Sequence, residues 1–255
     1  MLRELCMSEQ PQTTATIAPK RVPRQVFFIT GTDTDVGKTT VTAALLQRAK
    51  QQEWRCFGVK PVSAGCQQDD AGVWQSGDAQ QLSAAASVAL HPDLAAPIRL
   101  PLPVSPHLAA HAAGVNLSVS RLAGLVRGAL STPATHVLIE GAGGWDVPIN
   151  PRETLADLAK VLQFPVILVV GMRLGCLNHA LLTARAIRQD GLQLAGWVAN
   201  TIDPNTLLLA EQIDSLQQRL NAPCLGVLPY APDQTLQDRA ALLRWPQELV
   251  NPNQC

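Results

Sequence analysis

From Gln25 onward, short apolar runs alternate with longer amphipathic stretches. This pattern encodes a strand, a helix that crosses back, and a second strand parallel to the first. Repeated along a chain, the unit builds a mostly parallel sheet with helices on both faces. The apolar runs predict strands over 26–30, 55–59, 136–139, 165–170, 194–199 and 224–228. Helices are expected to begin near Lys38, Leu117, Leu155, Asn178 and Thr206, with another after Asp78. The expected fold class is therefore α/β, a three-layer sandwich. The segment 91–107 breaks the rhythm with Pro92, Pro97, Pro101, Pro103 and Pro106. Proline at that density forbids a long helix and predicts an ordered surface loop. Residues 1–24 are polar and aperiodic, which predicts a disordered tail, with Met7 as an alternative start. Residues 25–255 are then expected to form a single domain.

Composition narrows the function. Lys plus Arg equals Asp plus Glu, 20 against 20, so no basic stripe offers itself to nucleic acid or an anionic membrane. The cysteines Cys6, Cys56, Cys66, Cys176, Cys224 and Cys255 form no CxxC pair and suggest neither zinc nor a disulfide framework. Scattered thiols suit the cytoplasm. The apolar run 164–170 is too short to span a bilayer, and no signal peptide is expected. His107 and His111 have zinc-ligand spacing but no third ligand, so a solvated or hydrogen-bonded pair is expected. His179, at a helix start, reads as a capping or packing residue. Trp54, Trp74, Trp145, Trp197 and Trp245 are too dispersed to form a stacking platform.

Anion binding must then be local, and one loop provides for it. The first strand runs into Gly31-Thr32-Asp33-Thr34-Asp35-Val36-Gly37-Lys38-Thr39-Thr40, and a helix-forming run follows at once. Small residues there let backbone N–H groups wrap a polyphosphate, and the helix N-terminus adds its own donors and partial charge. Lys38 is expected to reach the outer phosphates and the Thr39 hydroxyl to ligate magnesium. Five residues separate Gly31 from Gly37 where the strict phosphate-loop pattern has four, so Thr32 stands at the first glycine position. In an open parallel sheet, ligands bind beyond the carboxyl ends of the strands. Later strands end there in Lys60-Pro61, Glu140-Gly141-Ala142-Gly143-Gly144, Gly171, Asn200 and Pro229-Tyr230. Glu140, an acid closing an aliphatic strand before glycines, reads as a second metal ligand, against a solvated loop carboxylate. Lys60 reads equally as a solvated lysine or a phosphate-facing one. Asp78 reads equally as a functional acid or as a helix N-cap.

Taken together, the motifs resemble the dethiobiotin synthetase family. The phosphate loop shares that family's five-residue spacing. Lys60-Pro61-Val62, Ser105-Pro106-His107, Glu140-Gly141-Ala142-Gly143-Gly144-Trp145, Gly175-Cys176-Leu177-Asn178-His179-Ala180 and Gly196-Trp197-Val198-Ala199-Asn200 are similar to its other signatures. The resemblance runs from Gln25 to about Tyr230.

The resemblance implies a P-loop fold and an ATP- and magnesium-dependent ligase of biotin synthesis. Such an enzyme acts on 7,8-diaminononanoate and carbon dioxide as a cytoplasmic homodimer. It implies that Asp35, Val36, Gly37, Lys38, Thr39 and Thr40 hold the ATP phosphates, and that Thr39, Asp78 and Glu140 bind magnesium. Lys60 and Lys38 are the implied catalytic cations. Gly141, Ala142 and Gly143 join the nucleotide site. Asn200 reads the adenine edge, with Thr201 beside it and the backbone of Pro229, Tyr230 and Ala231 helping. The family's substrate hydroxyl four residues after the lysine falls on Ala64, with a hydroxyl one residue earlier. Either Ser63 substitutes, or backbone alone holds the carbamate. Gly175 and Asn178 are expected to receive the distal carboxylate of the substrate bound to the neighbouring subunit. The competing class is a nucleotide-switch ATPase of the partition type. Such proteins usually carry a second lysine early in the loop, where this chain has Thr32-Asp33-Thr34.

Overall fold

The computed structural model of the chain describes residues 24–250. The expected disordered tail lies outside the described residues, apart from Arg24. The Arg24 guanidinium donates to the Leu130 and Thr132 carbonyls, so this residue packs with the domain.

Strand β1 (Gln25–Gly31) leads through the glycine-bearing loop into α1 (Lys38–Gln51), which returns to β2 (Cys56–Val59). Short elements follow: β3 (Val62–Ser63), β4 (Gln67–Gln68), β5 (Trp74–Gln75) and α2 (Gly77–Ala85). After them come α3 (Pro92–Ala95), β6 (Ile98–Arg99) and α4 (Pro106–Ala112). Regular alternation resumes with α5 (Val119–Ala129), β7 (His136–Glu140), α6 (Leu155–Leu162) and β8 (Val166–Met172). The chain continues through α7 (Cys176–Gln189), β9 (Leu194–Thr201), α8 (Leu209–Arg219) and β10 (Cys224–Leu228). Two short helices, α9 (Leu236–Ala241) and α10 (Pro246–Val250), close it.

Six strands form one parallel sheet in the order β10-β9-β8-β1-β7-β2. The α/β expectation therefore holds, and β1 sits where the chain turns from one half of the sheet to the other. Successive side chains of a strand face opposite ways, so a strand covered on both faces is apolar throughout. On β1, Phe27 and Ile29 pack with Val41 and Leu45 of α1, while Phe28 joins Leu122 of α5 and Leu158 of α6. Each such side chain, fully buried, contributes roughly 1.5–3 kcal/mol. Among the described residues, no helix is long and apolar enough to cross a membrane.

Several boundaries shift for local reasons. Strands β7 and β9 run on through Glu140 and Thr201, because parallel neighbours keep pairing with them. Helix α5 starts at Val119 because Ser118 caps it through the Arg121 N–H. Helix α7 starts at Cys176, earlier than expected, with Gly175 as its N-cap. Helix α8 starts late, at Leu209, because Asp203 ties down the Asn205 N–H in a turn. The proline-rich segment holds no long helix, as expected. It is not a mere surface loop, however: Ala95, Ala96, Ile98 and Leu100 are buried, and β6 pairs with β3. The tryptophans are less dispersed than their spacing suggests. Trp54 and Trp245 meet around His136, with Trp54 stacked on the imidazole at 4.1 Å. Trp245 is fully buried, so the group is part of the core.

Candidate active site

The loop between β1 and α1 is shaped by what its glycines admit. Gly37 has φ 85°, the left-handed region that favours glycine, and a Cβ there would meet Asn200 Nδ2 at 2.1 Å. Val36 is buried in a slot between two further glycines: a Cβ on Gly31 or Gly171 would lie 2.6 or 2.7 Å from its methyl groups. The extra residue in the loop has a cause. Thr32 N donates to the Val169 carbonyl at 2.9 Å, so the chain follows β8 for one more step before it turns. No side chain caps the N-terminus of α1, which leaves its first amides open to a ligand. Lys38 crosses the loop and donates to the Asp33 carbonyl at 2.9 Å. Burial, then the nearby Lys60 charge, pushes the Lys38 ammonium down to about 8.

Strand register gathers the charged groups. Ile29 pairs with Glu140 across β1 and β7, and Val59 with Ile139 across β2 and β7. Glu140 and Lys60 therefore emerge side by side, level with the start of the loop. Lys60 Nζ donates to Glu140 Oε1 at 2.7 Å and lies 2.8 Å from Asp78 Oδ2. The Thr39 hydroxyl, in the first turn of α1, donates to the same Glu140 oxygen at 2.7 Å. Burial opposes the charge on Lys60, but the Glu140 and Asp78 carboxylates more than offset it and raise its pKa. Asp78 is likewise disfavoured by desolvation, yet the Lys60 charge holds its carboxyl below the usual range. Asp78 is not the N-cap of α2. That role belongs to Ser76, which leaves the Asp78 carboxylate free to meet Lys60.

Lys38, Thr39, Lys60 and Asp78 line one cleft of about 880 Å³, together with Asp35, Gly37, Thr40, Ala64, Ala142 and Gly143, and Glu140 is buried behind them. Pro103, Val104, Ser105, Pro106 and Asp146 line the cleft as well. Ser63 does not reach the cleft. Its side chain is buried and bonded to Ser76 Oγ at 2.8 Å, so of the two alternatives the one in which Ser63 substitutes at Ala64 is corrected. Asn200 is buried behind the loop and donates to the Val36 carbonyl at 2.8 Å. Thr201 Oγ1, next to it, is buried without a partner. Pro229, Tyr230 and Ala231 follow β10 at the same edge of the sheet, and Tyr230 is exposed. Gly141 is buried beneath the cleft, its N–H bonded to the Ile29 carbonyl. Gly175 and Asn178 are exposed at the start of α7, outside the cleft.

The pair Asp33–Arg173, at 2.7 Å, escaped sequence reasoning. It ties the loop to the end of β8, and the rule that ligands gather beyond strand ends points to Arg173. Among the described residues no three His, Cys, Asp or Glu side chains converge on a metal-sized site. His107 instead pairs with Ser105 at 3.0 Å. A second hollow of about 510 Å³, between α7 and α8, carries Arg185, Arg188 and Arg219 and no carboxylate. The chemistry therefore lies in the cleft.

Comparison with known proteins agrees with this geometry. Residues 25–237 match the family described as "AAA domain". The chain is 52% identical over 206 residues to the ATP-dependent dethiobiotin synthetase BioD of Cellvibrio japonicus, covering 81% of this chain and 90% of that one. It is 45% identical over 221 residues to the BioD of Marinobacter nauticus, covering 86% and 94%. Among solved structures, the signal recognition particle receptor FtsY of Elizabethkingia anophelis superposes with a TM-score of 0.53 at 18% identity. That match covers 91% of this chain and only 65% of the receptor, and it shows a shared fold alone. A phosphate loop on a parallel sheet and close relatives matched over most of their length lead to one assignment: the chain belongs to the ATP-dependent dethiobiotin synthetase family.

Proposed function

We propose that the cleft closes a cyclic urea on 7,8-diaminononanoate, using ATP and carbon dioxide. The observation that carries this reading is the Lys60 ammonium, buried between Glu140 and Asp78 beside an uncapped phosphate loop. One substrate amine adds to carbon dioxide, forming a carbamate and releasing a proton. A carbamate oxygen then takes the γ-phosphoryl group, and ADP leaves. The second amine attacks the carbonyl carbon of this mixed anhydride, phosphate departs, and the ring closes. Lys38 and Lys60 hold positive charge along the path of the phosphoryl group, where charge builds in the transition state. Holding both amines by one activated carbon makes closure intramolecular, which removes much of its entropic cost.

The donor set fits magnesium. Glu140 Oε2 is a buried oxygen with no partner, and Thr39, Asp78 and Glu140 bring only oxygens together. A hard divalent ion takes such ligands and shares the rest of its shell with phosphate and water. When bound, the ion supplies charge neutralisation for the phosphates, and Thr39, Asp78 and Glu140 are the residues that would hold it. Asn200, Thr201 and the 229–231 backbone are assigned to the base, supported by their place at the strand ends beside the loop. Ala64 lines the substrate side, so its backbone is assigned to the carbamate. The enzyme works as a cytoplasmic homodimer, with the substrate's distal carboxylate at Gly175 and Asn178 of the neighbouring subunit. The open N-terminus of α7 supports that placement.

The test is phosphate release with the diamine present, in buffer with and without dissolved carbon dioxide. ATP consumption is expected to need both, with one phosphate per ring. Without a carbamate only water lies in line with the γ-phosphate. Unchanged hydrolysis after carbon dioxide is stripped, or indifference to the diamine, favours the switch ATPase instead.

A further inference from the structure

Ser63 and Ala64 are neighbours in sequence, yet their side chains serve different places. Backbone alternation at the end of β3 turns Ala64 to the cleft and Ser63 to the interior, where it is 2% exposed. There the Ser63 oxygen accepts the hydroxyl hydrogen of Ser76 at 2.8 Å. Ser76, 5% exposed, in turn accepts the Ala79 N–H at 3.2 Å as the N-cap of α2. Asp78 comes two residues later, and its carboxylate lies 2.8 Å from Lys60 Nζ.

A second tie reaches the same spot. Arg99 is the register partner of Ser63 in the small sheet of β3 and β6. Its Nη1 donates to the Trp74 carbonyl and its Nε to the Ala96 carbonyl, each at 2.9 Å. Paired positions of one two-stranded sheet thus grip residues 74 and 76, the launch of α2.

We infer that Ser63 is a positioning residue, which sets the start of α2 through Ser76 and thereby places the Asp78 carboxylate for the metal–nucleotide site. The inference rests on the metal role given to Asp78 above. A hydroxyl has one hydrogen and two lone pairs. Because Ser76 gives its hydrogen to Ser63, a lone pair is left facing the Ala79 N–H. Without the Ser63 oxygen, a buried O–H loses its acceptor and turns away to find another, and the cap loosens. Asp78 feels this directly, since the helix start carries its backbone, while Lys60 and Thr39 hold only its carboxylate, whose side chain is 43% exposed. Lys60 does not, because its backbone N–H is anchored separately on the Ala95 carbonyl at 2.7 Å.

The test uses the full chain and nucleotide alone: ATP affinity by calorimetry, with magnesium and with EDTA. The variants are Ser63→Ala, Ser76→Ala, the double variant and Ser63→Thr. Ser63→Ala is expected to lower affinity roughly three- to tenfold in magnesium and not in EDTA, the scale of one hydrogen bond. Ser76→Ala should act in the same direction, and the double variant should be no worse than Ser76→Ala. Ser63→Thr keeps the hydroxyl and should keep wild-type magnesium dependence. With the diamine added, KM for the diamine should not change in Ser63→Ala. Unaltered magnesium dependence in Ser63→Ala, equal loss in magnesium and EDTA, or additive losses in the double variant would overturn the relay. A wild-type protein that ignores the diamine overturns the synthetase reading instead, and the nucleotide measurement still decides this one.

Discussion

At the scale of single residues, Lys60 is where the buried charges of the candidate site meet. Its ammonium neutralises Glu140, which has no exposure to solvent, and Asp78, which has some. Two carboxylates around one cation favour its charged form, which suits the proposed phosphoryl transfer. Lys60→Ala is expected to keep nucleotide binding, because Lys38 and the loop amides remain. It should lose phosphoryl transfer by about a hundredfold, on the order of 3 kcal/mol in the transition state. The same change leaves Glu140 buried without its cation, so the melting temperature should fall as well. Nucleotide affinity, single-turnover rate and a melt separate the two effects. A variant that binds ATP and turns over at the wild-type rate would remove Lys60 from the chemistry. The types of these residues could be read from sequence. The partner each side chain takes could not, and Ser63 shows why: one position along a strand decides whether a hydroxyl meets substrate or core.

At the scale of elements, the carboxyl edge of the sheet carries the site and the opposite edge carries stability. His136 opens β7, stacks on Trp54 and shares a hydrogen bond with Gln247 Nε2 of α10 at 2.8 Å. Trp245 donates to the Leu45 carbonyl, and Arg48 pairs with Glu248, so α10 clasps α1. Burial pushes the His136 imidazole down from 6.5 to about 4, against the opposing charge of Glu248. A folded-state pKa below the unfolded one means that neutral His136 stabilises the fold above 6.5. That contribution is lost as pH falls from 6.5 through about 4. The melting temperature should therefore decline over this window, and His136→Phe, which keeps the ring stacking, should decline less steeply. Parallel pH slopes for the two proteins would show that His136 is not the group responsible. The strands and most helices were legible because apolar periodicity is a local signal. The gripping of α2 by β3 and β6 was not, because two-residue strands leave no period to read.

At the scale of the molecule, the α7 start bears on the proposed dimer. Gly175 has φ 93° and caps α7 without a side-chain acceptor, and Leu174 beside it is 97% exposed. Thr206 donates to the Met172 carbonyl, which brings the exposed Leu207 and Leu208 toward the same face. An apolar face beside an open helix N-terminus suits a second copy that presents substrate. Sedimentation should show a dimer, and Leu174→Asp should shift it toward monomer and raise KM for the diamine. A wild-type monomer that is fully active at low concentration would refute the shared site. What the sequence determined by itself was the α/β class and the phosphate loop, and it put Lys38, Thr39, Lys60 and Glu140 near each other at the strand ends. Glycine spacing, apolar runs and strand-end chemistry are all written within a few residues of one another. Only the tertiary structure decided that Lys60 sits between Glu140 and Asp78, that Asn200 braces the loop from behind, and that Ser63 turns inward to Ser76. Those are contacts between distant segments, set by strand register and by which face of a strand a side chain occupies, and no local pattern carries that information.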